Sequence, residues 1–345
     1  MKAVVFDQHG GPEQLRYTDV DPPRCGPHHV LVRVKACALN HLDIWIRQGI
    51  PAYHIPLPHI SGCDVAGVVE QVGAEVDGPP VGTAVLVAPG LSCWRCDWCL
   101  AGRDNLCPSY KILGAQVDGG YAELVAVPAV NAIPIPGALT FEQAAAFPLV
   151  AVTAWHMVFA LAGVKPGESV LVMGAGSGVG SMAIQMANLA GARVITTVGS
   201  DDKSPKAKAL GAEEVINHST EDLTKRIKAL TNGRGVDVVI EHIGPAVWHQ
   251  CLAALAKGGR LATCGATTGG EIKLDIRHLF SRQLTLKGCY MGTRAELLEA
   301  AALVAQGKLH PVVDRVLPLQ EARAAQEVLL SRRFFGKIVL EVDKR

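Results

Sequence analysis

One stretch of the sequence, from Val170 to Ala192, constrains the fold more than any other. It reads VLVMGAGSGVGSMAIQMANLAGA, an apolar run typical of a buried strand, a turn with four glycines in seven residues, and a run with helical spacing. A glycine turn between a strand and a helix lets a pyrophosphate lie against the backbone at the helix N-terminus. Residues 193–198, RVITTV, predict the second strand that this motif requires. The stretch therefore predicts a dinucleotide-binding domain.

Strand and helix patterns alternate after the glycine turn and predict six parallel strands in a doubly wound α/β sheet. Such sheets bind ligands at the carboxyl ends of their strands. The predicted cofactor-binding residues lie in the glycine turn and after two later strands, and they are Gly176, Ser177, Gly178, Val179, Gly180, Ile243, Gly244, Gly265 and Ala266.

The end of the second strand bears on the choice of cofactor. An acidic residue there would bind the ribose hydroxyls of NAD, but the strand ends in Val198, Gly199 and Ser200. Ser200 and Lys203 could bind the 2′-phosphate of NADP, so we expect NADP(H), with NAD(H) as the alternative. We interpret Asp201 and Asp202 as residues that cap the next helix.

Composition excludes several classes of protein. The chain has 345 residues, 49% of them hydrophobic, and a formal net charge of +1, which is typical of a globular protein without a general attraction for nucleic acid or acidic membranes. The N-terminal apolar run is too short for a signal peptide, so we expect a cytoplasmic protein. Residues 147–164 form a long uncharged run, which we interpret as a buried helix because Pro148, Thr153, His156 and Gly163 interrupt it.

The first 127 residues have short β-rich runs separated by turns, and they contain a cluster of cysteines. Cys93, Cys96, Cys99 and Cys107 are close enough in sequence to complete a tetrahedral shell around one zinc ion. A site with four thiolates has no open position for water, so this zinc would be structural. Disulfides are the alternative, but nothing marks the chain as secreted.

These features together resemble the medium-chain dehydrogenase/reductase family. The segments that carry the resemblance are MKAVVFDQHGGPEQL, ALNHLDIWIRQG, SGCDVAGVVEQVG, the cysteine cluster, FPLVAVTAWHMV, the glycine turn and FFGKIVLEV. The resemblance implies a GroES-like catalytic domain over residues 1–149 and 294–345, with a zinc lobe at 93–107, and a Rossmann domain over residues 150–293. It also implies cofactor contacts from His41 and Thr153, and a homo-oligomer, a dimer or a tetramer, paired through the edge strand LTLKGCY.

The same resemblance raises the question of a catalytic zinc. Zinc-dependent members have ligands at the positions of Asn40, Cys63 or Asp64, and Leu149 of this chain, and a proton-relay hydroxyl at Leu42. A catalytic zinc needs three strong ligands and one open position, which these residues do not supply. The alternative is a zinc-dependent alcohol dehydrogenase with unusual ligands, recruited from His41, His54 and His59.

Segments around Asn40 and Asp43 look like the zinc-free quinone oxidoreductase branch of the family. That resemblance implies hydride transfer from NADPH to a quinone or an α,β-unsaturated carbonyl. Asn40 would then polarise the acceptor carbonyl, and Asp43 or Asp64 would orient neighbouring groups. Cys63 is either reactive or a small buried residue. A non-enzymatic, cofactor-bound protein is a third hypothesis, because a fold does not dictate a function.

Overall fold

The computed structural model describes residues 1–51 and 53–342. The chain divides into two compact units. Unit 1 comprises Met1–Leu149, Thr293–Gly307 and Pro311–Arg345, and unit 2 comprises Val150–Gly292 and Lys308–His310.

The strands are, in chain order, β1 (Lys2–Val5), β2 (Arg16–Asp19), β3 (His29–Ala38), β4 (Asp64–Val72), β5 (Ala84–Val87), β6 (Gly90–Leu91), β7 (Lys111–Ile112), β8 (Leu124–Pro128), β9 (Ala132–Pro134), β10 (Ser169–Val172), β11 (Arg193–Val198), β12 (Glu214–Asn217), β13 (Val236–Glu241), β14 (Leu255–Thr263), β15 (Thr285–Gly288), β16 (Val313–Pro318) and β17 (Lys337–Glu341).

The α-helices are α1 (His41–Gln48), α2 (Asp97–Leu100), α3 (Phe141–Ala145), α4 (Pro148–Trp155), α5 (Gly178–Leu189), α6 (Ser204–Ala209), α7 (Leu223–Leu230), α8 (Pro245–Ala254), α9 (Ile276–Ser281), α10 (Arg294–Ala305) and α11 (Ala322–Ser331).

Unit 1 is built on a seven-stranded sheet in the order β16-β17-β3-β4-β5-β9, with β8 also paired to β3. β3 alternates buried valines with more exposed residues over part of its length and pairs antiparallel with β4, β8 and β17. Val32, Val34, Val65 and Leu340 from these strands, with Leu329 from α11, form the core of this unit. β3 therefore lies at the centre of unit 1.

Unit 2 contains a six-stranded parallel sheet in the order β12-β11-β10-β13-β14-β15. This confirms the predicted doubly wound α/β sheet. The strands β10 and β11 are buried over all or nearly all of their length, because both faces of a parallel sheet are covered. Leu171, Ile195, Val239 and Leu261 lie in its core together with Trp248 of α8.

The long apolar run at residues 147–164 is helical, as predicted, and it is not continuous. It forms α4, followed by a π-helical turn over His156–Leu161. Among the described residues, no helix has both the length and the apolar character that a membrane span requires.

Candidate active site

Four buried polar side chains of unit 1, Asn40, Cys63, Asp64 and Lys337, form what we call the polar cluster. The Lys337 ammonium donates to Oδ1 of Asn40 at 2.6 Å and to Oδ2 of Asp64 at 2.9 Å. The Asn40 amide nitrogen donates to Oδ2 of Asp64 at 2.8 Å and to Sγ of Cys63 at 3.3 Å. Asp64 is 0% exposed, whereas Asn40 is 8% and Lys337 4% exposed. The structure therefore brings three of the four predicted catalytic residues together around a lysine.

Three neighbouring strands position the cluster. β3 ends at Ala38, which lies opposite Asp64 of β4 and Val339 of β17. Asp64 and Lys337 are the first residues of their strands, and Asn40 follows β3 by two residues. The pairing of three strands thus delivers three side chains from distant parts of the sequence to one end of the sheet.

Asp43, the fourth predicted catalytic residue, supports the cluster through the backbone. Its Oδ2 accepts from the backbone N–H of Asn40 at 2.7 Å, and its Oδ1 accepts from the N–H of Gly62 at 3.2 Å. Asn40 and Asp43 form a capping box at the start of α1. Burial raises the pKa of Asp43 to about 6, and the hydrogen bond from Asn40 and the charge of Lys337 oppose this shift. Asp43 thus holds the backbone of Asn40, and its predicted role of orienting groups for catalysis stays a prediction.

Cys63 is a buried thiol and not an activated thiolate. Burial is the main cause that raises its pKa well above the ordinary value, and the charges of Asp64 and Asp43 raise it further. The neighbouring Cys37 and Tyr121 also have raised pKa values, for the same main reason. Of the two predicted roles for Cys63, the geometry supports that of a small buried residue.

The sequence predicts that Asn40 polarises an acceptor carbonyl through its amide N–H. In the structure both amide hydrogens already have acceptors, namely Asp64 and Cys63. This role stays a prediction, and it requires that one of the two hydrogen bonds open when the acceptor binds.

Lys337 is a member of the cluster that the sequence does not identify as functional. It opens the apolar strand segment KIVLE, where its side chain is 4% exposed. The sequence signal that could have identified Lys337 is its position, since it directly follows a glycine and begins an apolar strand. Its partner cannot be read from the sequence, because Asp64 lies 273 residues away.

The residues at the candidate catalytic-zinc positions do not fit a zinc ion. Leu149 contributes only its backbone N–H, which donates to Oδ1 of Asp64 at 2.8 Å. Asn40 turns its amide nitrogen, a donor, toward Cys63, and the Lys337 ammonium occupies the side of Asp64 that a cation would approach. His59 is turned toward the carbonyl of Gly114 at 3.1 Å. Within the described ranges, no group of three His, Cys, Asp or Glu ligand atoms converges here.

The cysteine lobe, by contrast, has the geometry of a metal site. The sulfur atoms of Cys93, Cys96, Cys99 and Cys107 all lie within 4.8 Å of one another, with 3.5 Å between those of Cys96 and Cys99. A tetrahedron with zinc–sulfur bonds of about 2.3 Å has edges of about 3.8 Å. Backbone N–H groups of Arg95 and Cys96 lower the pKa of Cys93 to about 6, whereas burial and the hydrogen bond with Cys96 raise the pKa of Cys99 to about 12. The case for a metal site therefore rests on the positions of the sulfur atoms. All ten cysteines are free of disulfides, and the lobe could hold one structural zinc.

In unit 2 the glycine turn brings the backbone after β10 close to the first turn of α5. Gly174 has a positive φ of 63°, and a Cβ on Gly180 would lie 2.2 Å from the carbonyl oxygen of Gly174. Ser177 caps α5, because its hydroxyl accepts from the N–H of Gly180 at 2.8 Å. α5 begins at Gly178. The N-terminus of α5 is therefore held with its N–H groups ordered.

A buried carboxylate organises the loop after β13. Glu241 is 0% exposed, and its Oε1 accepts from the N–H groups of Ile243 and Gly244, the latter at 2.7 Å. Its Oε2 accepts from the hydroxyl of Thr263, at the end of β14, at 2.7 Å. A Cβ on Gly265 would lie 2.2 Å from the carbonyl oxygen of His242, so the loops after β13 and β14 touch. Ala266 continues the second of these loops, and the cofactor role of both loops stays a prediction.

The prediction that Asp201 and Asp202 cap a helix is wrong. Residues Asp201–Lys203 form a 3-10 turn, and the residue at the N-cap of α6 is Lys203. Oδ1 of Asp201 instead accepts from the Asn217 amide at 2.7 Å. Asp201 is thus bound to the end of the next strand, while Ser200 and Lys203 remain at the end of β11.

The two cofactor residues implied by the resemblance lie in different units. His41 opens α1 in unit 1, with its ring centroid 5.3 Å from that of Trp45. Thr153 is buried in α4 and belongs to unit 2. Their contacts with a cofactor stay predictions.

Comparisons with known proteins agree with both units. Residues 26–137 match the alcohol dehydrogenase GroES-like domain family, and residues 178–306 match the zinc-binding dehydrogenase family. An alcohol dehydrogenase of Geobacillus stearothermophilus is 34% identical, over 99% of this chain and 100% of its own length. A quinone oxidoreductase of Salmonella typhimurium is 33% identical, over 98% of both chains.

A solved structure described as an NAD-dependent alcohol dehydrogenase is 49% identical to this chain. It superposes with a TM-score of 0.96 and covers 99% of this chain and 100% of its own. Since the matches extend over nearly the full length of the chain, and two family domains match in the predicted order, the chain belongs to the zinc-binding, alcohol dehydrogenase-like medium-chain dehydrogenase/reductase family of oxidoreductases.

Proposed function

We propose that this protein is a reductase that transfers a hydride from NADPH to a quinone or an α,β-unsaturated carbonyl without a catalytic zinc, and that it carries one structural zinc. The observation that supports this best is the contact of Lys337 with Asn40 and Asp64. At the three ligand positions of a metal-dependent enzyme, this chain has an amide, a thiol beside a carboxylate that is already paired with an ammonium, and a leucine. The quinone oxidoreductase relative is consistent with such a reaction.

The reduced nicotinamide supplies the hydride when it is bound, and the protein must stabilise the charge that develops on the acceptor oxygen. Lys337 is the positive charge of the cluster and stands in a buried, low-dielectric environment, where such a charge acts strongly. The Asn40 amide is the second donor. Asp64 and Asp43 hold these donors in fixed orientations, so little reorganisation is needed during the reaction.

NADP is the cofactor that the end of β11 favours. The Asp201 carboxylate is hydrogen-bonded to Asn217, and Asp202 accepts a hydrogen bond from Ser200 that lowers the pKa of this carboxyl. Ser200 and Lys203 are the groups at this end of β11 that could bind a 2′-phosphate. NAD is the alternative, and the likeness to the 49% identical NAD-dependent alcohol dehydrogenase favours it.

The second candidate is an NAD-dependent alcohol dehydrogenase, which the likeness to that same solved structure supports. A matrix of steady-state assays separates the two. NADPH and NADH are each tested with a cyclic enone and a quinone, and NADP⁺ and NAD⁺ with primary and secondary alcohols. We expect NADPH with the enone or quinone to give at least about a tenfold higher kcat/KM than any other pair, a difference of about 1.4 kcal/mol.

Two lysine variants test whether Lys203 contributes to NADPH binding. Lys203→Ala should raise the KM for NADPH, whereas Lys208→Ala, an exposed position in α6, should not. Alcohol oxidation with NAD⁺ as the fastest reaction would contradict the proposed function and support the second candidate.

We also propose a homo-oligomer, a dimer or a tetramer, paired through β15. This strand is one of the two edge strands of the six-stranded sheet, and exposed edges favour pairing. The nearby Ile276 and Phe280 of α9 are each 67% exposed. Light scattering of the purified protein tests this, and a monomer mass at micromolar concentration would contradict it.

A further inference from the structure

The side chain of His242 connects the loop after β13 to the glycine turn. Its Nε2 lies 2.9 Å from the carbonyl oxygen of Met173, directly after β10, and 3.0 Å from the Ser177 hydroxyl. Gly174 makes room for the ring, because a Cβ at this position would lie 3.3 Å from Cε1 of His242. The imidazole therefore lies against the backbone of the glycine turn and reaches the residue that caps α5.

The backbone around His242 is fixed on both sides. The carboxylate of Glu241 accepts from the N–H groups of Ile243 and Gly244. The carbonyl oxygen of His242 itself accepts from the Thr267 hydroxyl at 3.3 Å. These contacts hold the backbone from which the ring projects toward the glycine turn.

The carbonyl of Met173 decides which hydrogen the ring presents. A carbonyl oxygen can only accept, and Met173 is 1% exposed, so Nε2 must carry a hydrogen whether the ring is neutral or protonated. The same N–H also reaches the Ser177 oxygen, in a three-centre hydrogen bond. Because that oxygen accepts from the N–H of Gly180 at 2.8 Å as well, both acceptor positions of the hydroxyl are occupied.

The Ser177 hydroxyl is thereby left with the role of a donor. Among the described residues, its oxygen has hydrogen-bond partners only in Gly180 and His242, and both of them donate to it. A cofactor pyrophosphate against the glycine turn would supply anionic acceptor oxygens for the remaining hydrogen. Hydrogen bonds to charged acceptors are stronger than those between neutral groups, so the direction of this hydrogen matters for binding.

We propose that His242 is a positioning residue for cofactor binding: by donating to Ser177, it makes the Ser177 hydroxyl a donor to the cofactor pyrophosphate. His242 thus acts through Ser177. This inference rests on the proposed function only in that a dinucleotide binds at the glycine turn, and its test needs no acceptor substrate.

The test is a double-variant cycle measured by equilibrium binding. NADPH or NADH, whichever binds wild type more tightly, is titrated by calorimetry into wild type, His242→Asn, Ser177→Ala and the double variant. His242→Gln is the rescue variant, because its amide nitrogen is the same number of bonds from Cα as Nε2, whereas that of asparagine reaches only as far as Nδ1. His249→Asn, a substitution at an exposed position of α8, is the matched control.

We expect His242→Asn to weaken dinucleotide binding by at least about fivefold, since a hydrogen bond to a charged group is no longer held in place. In the Ser177→Ala background the same substitution should change the affinity by less than about twofold, because the two residues act as one unit. His242→Gln should stay within about twofold of wild type, and His249→Asn should match wild type.

The melting temperatures of the cofactor-free proteins measure the structural contribution separately. The loss of the donor to Met173 should lower them alike with and without Ser177, since that carbonyl is buried in both backgrounds. If His242→Asn does not fold, His242→Leu, which also lacks a donor at the position of Nε2, replaces it in the same cycle.

Three outcomes overturn the inference. One is a folded His242→Asn or His242→Leu protein that binds the dinucleotide as tightly as wild type does. The others are an equal loss of affinity with and without Ser177, and a His242→Gln protein that binds as weakly as His242→Asn. The proposed function fails separately: a wild-type protein that shows the coupling but reduces neither an enone nor a quinone refutes only the function, whereas one that binds neither dinucleotide refutes both.

Discussion

At the scale of single residues, Lys337 decides how the Asn40 amide is oriented. An ammonium can only donate, so it must face the amide oxygen, and the amide nitrogen then faces Asp64 and Cys63. The resemblance to the family identifies Asn40, Asp43, Cys63 and Asp64, because they stand at positions of the family's motifs. It does not identify the charge that orders them, because that charge comes from the far end of the chain.

Asp43 should make the stability of the protein depend on pH. Its folded-state pKa of about 6 is above the ordinary value of 3.8. A folded state that binds the proton more tightly is favoured at low pH, so this contribution is fully present below about pH 4 and is lost as the pH rises through about 6. The lost contribution is about 3 kcal/mol. We therefore expect the free energy of unfolding of wild type, minus that of Asp43→Asn, to fall by this order between about pH 4 and 7.

Chemical denaturation of both proteins at several pH values measures this difference. Contributions from all other titrating groups cancel, because both proteins contain them. Asp21→Asn, a substitution at an exposed position, controls for the loss of one carboxylate. A wild-type minus Asp43→Asn difference that stays constant with pH, or that grows as the pH rises, would show that burial does not dominate at Asp43.

At the scale of elements, two helix caps of unit 2 each accept from a backbone N–H in the first turn of their helix, and they have different expected roles. Ser177 caps α5, and Asp222 caps α7 by accepting from the N–H of Lys225 at 2.9 Å. Substitution of either by alanine should cost about 1 kcal/mol in the free energy of unfolding. Only Ser177→Ala should also weaken NADPH binding, by about tenfold, because the first turn of α5 follows the glycine turn.

Fluorescence titration with NADPH and thermal unfolding of both variants provide the two readouts. Equal loss of NADPH affinity in Asp222→Ala would mean that general destabilisation, and not the α5 cap, causes the effect. An unchanged affinity in Ser177→Ala would argue against the predicted pyrophosphate position.

Elements are predictable where one local pattern decides the structure. The strands of the six-stranded sheet are mostly short runs rich in apolar residues between turns, and α7, over Leu223–Leu230, begins directly after its cap residue Asp222. The prediction that Asp201 and Asp202 cap a helix is wrong. An aspartate shortly before a helix looks the same in the sequence whether or not its side chain caps that helix. Asn217, at the end of a neighbouring strand, provides the competing partner for Asp201, and sequence order does not reveal strand neighbours.

At the scale of the whole molecule, the fold is predictable because its defining features are repeated or dense in the sequence. The alternation of strand and helix patterns predicts the parallel sheet, the glycine turn predicts dinucleotide binding, and the four cysteines predict a metal site. No single segment predicts the polar cluster of the candidate site, because the cluster forms only when β4 and β17 pair with β3. Lys337 then becomes a buried partner of Asp64, although it follows a glycine in an otherwise ordinary apolar strand.

The cysteine lobe should unfold without the rest of unit 1 when its metal is lost. None of its four cysteines belongs to the main apolar core of unit 1, among the residues that the structure describes. Asp104 fastens the lobe to α10, because both its carboxylate oxygens accept from the N–H of Arg294 at 3.2 Å. We expect Cys96→Ser to reduce zinc to near zero and to lower the melting temperature by several degrees, since a loss of about 1 kcal/mol shifts it by about 2–4 °C in a chain of this size class.

Limited proteolysis with mass spectrometry and far-ultraviolet circular dichroism locate that loss. Cys96→Ser should be cleaved between residues 92 and 110, while the circular dichroism spectrum changes little, because the seven-stranded sheet does not depend on the lobe for its core. Cys25→Ser, a substitution of a free cysteine outside the lobe, should keep about one zinc per chain and resist cleavage. If Cys96→Ser instead loses most of its secondary structure, then the zinc is required for the whole unit, and the Asp104 contact transmits the loss of the lobe to the sheet.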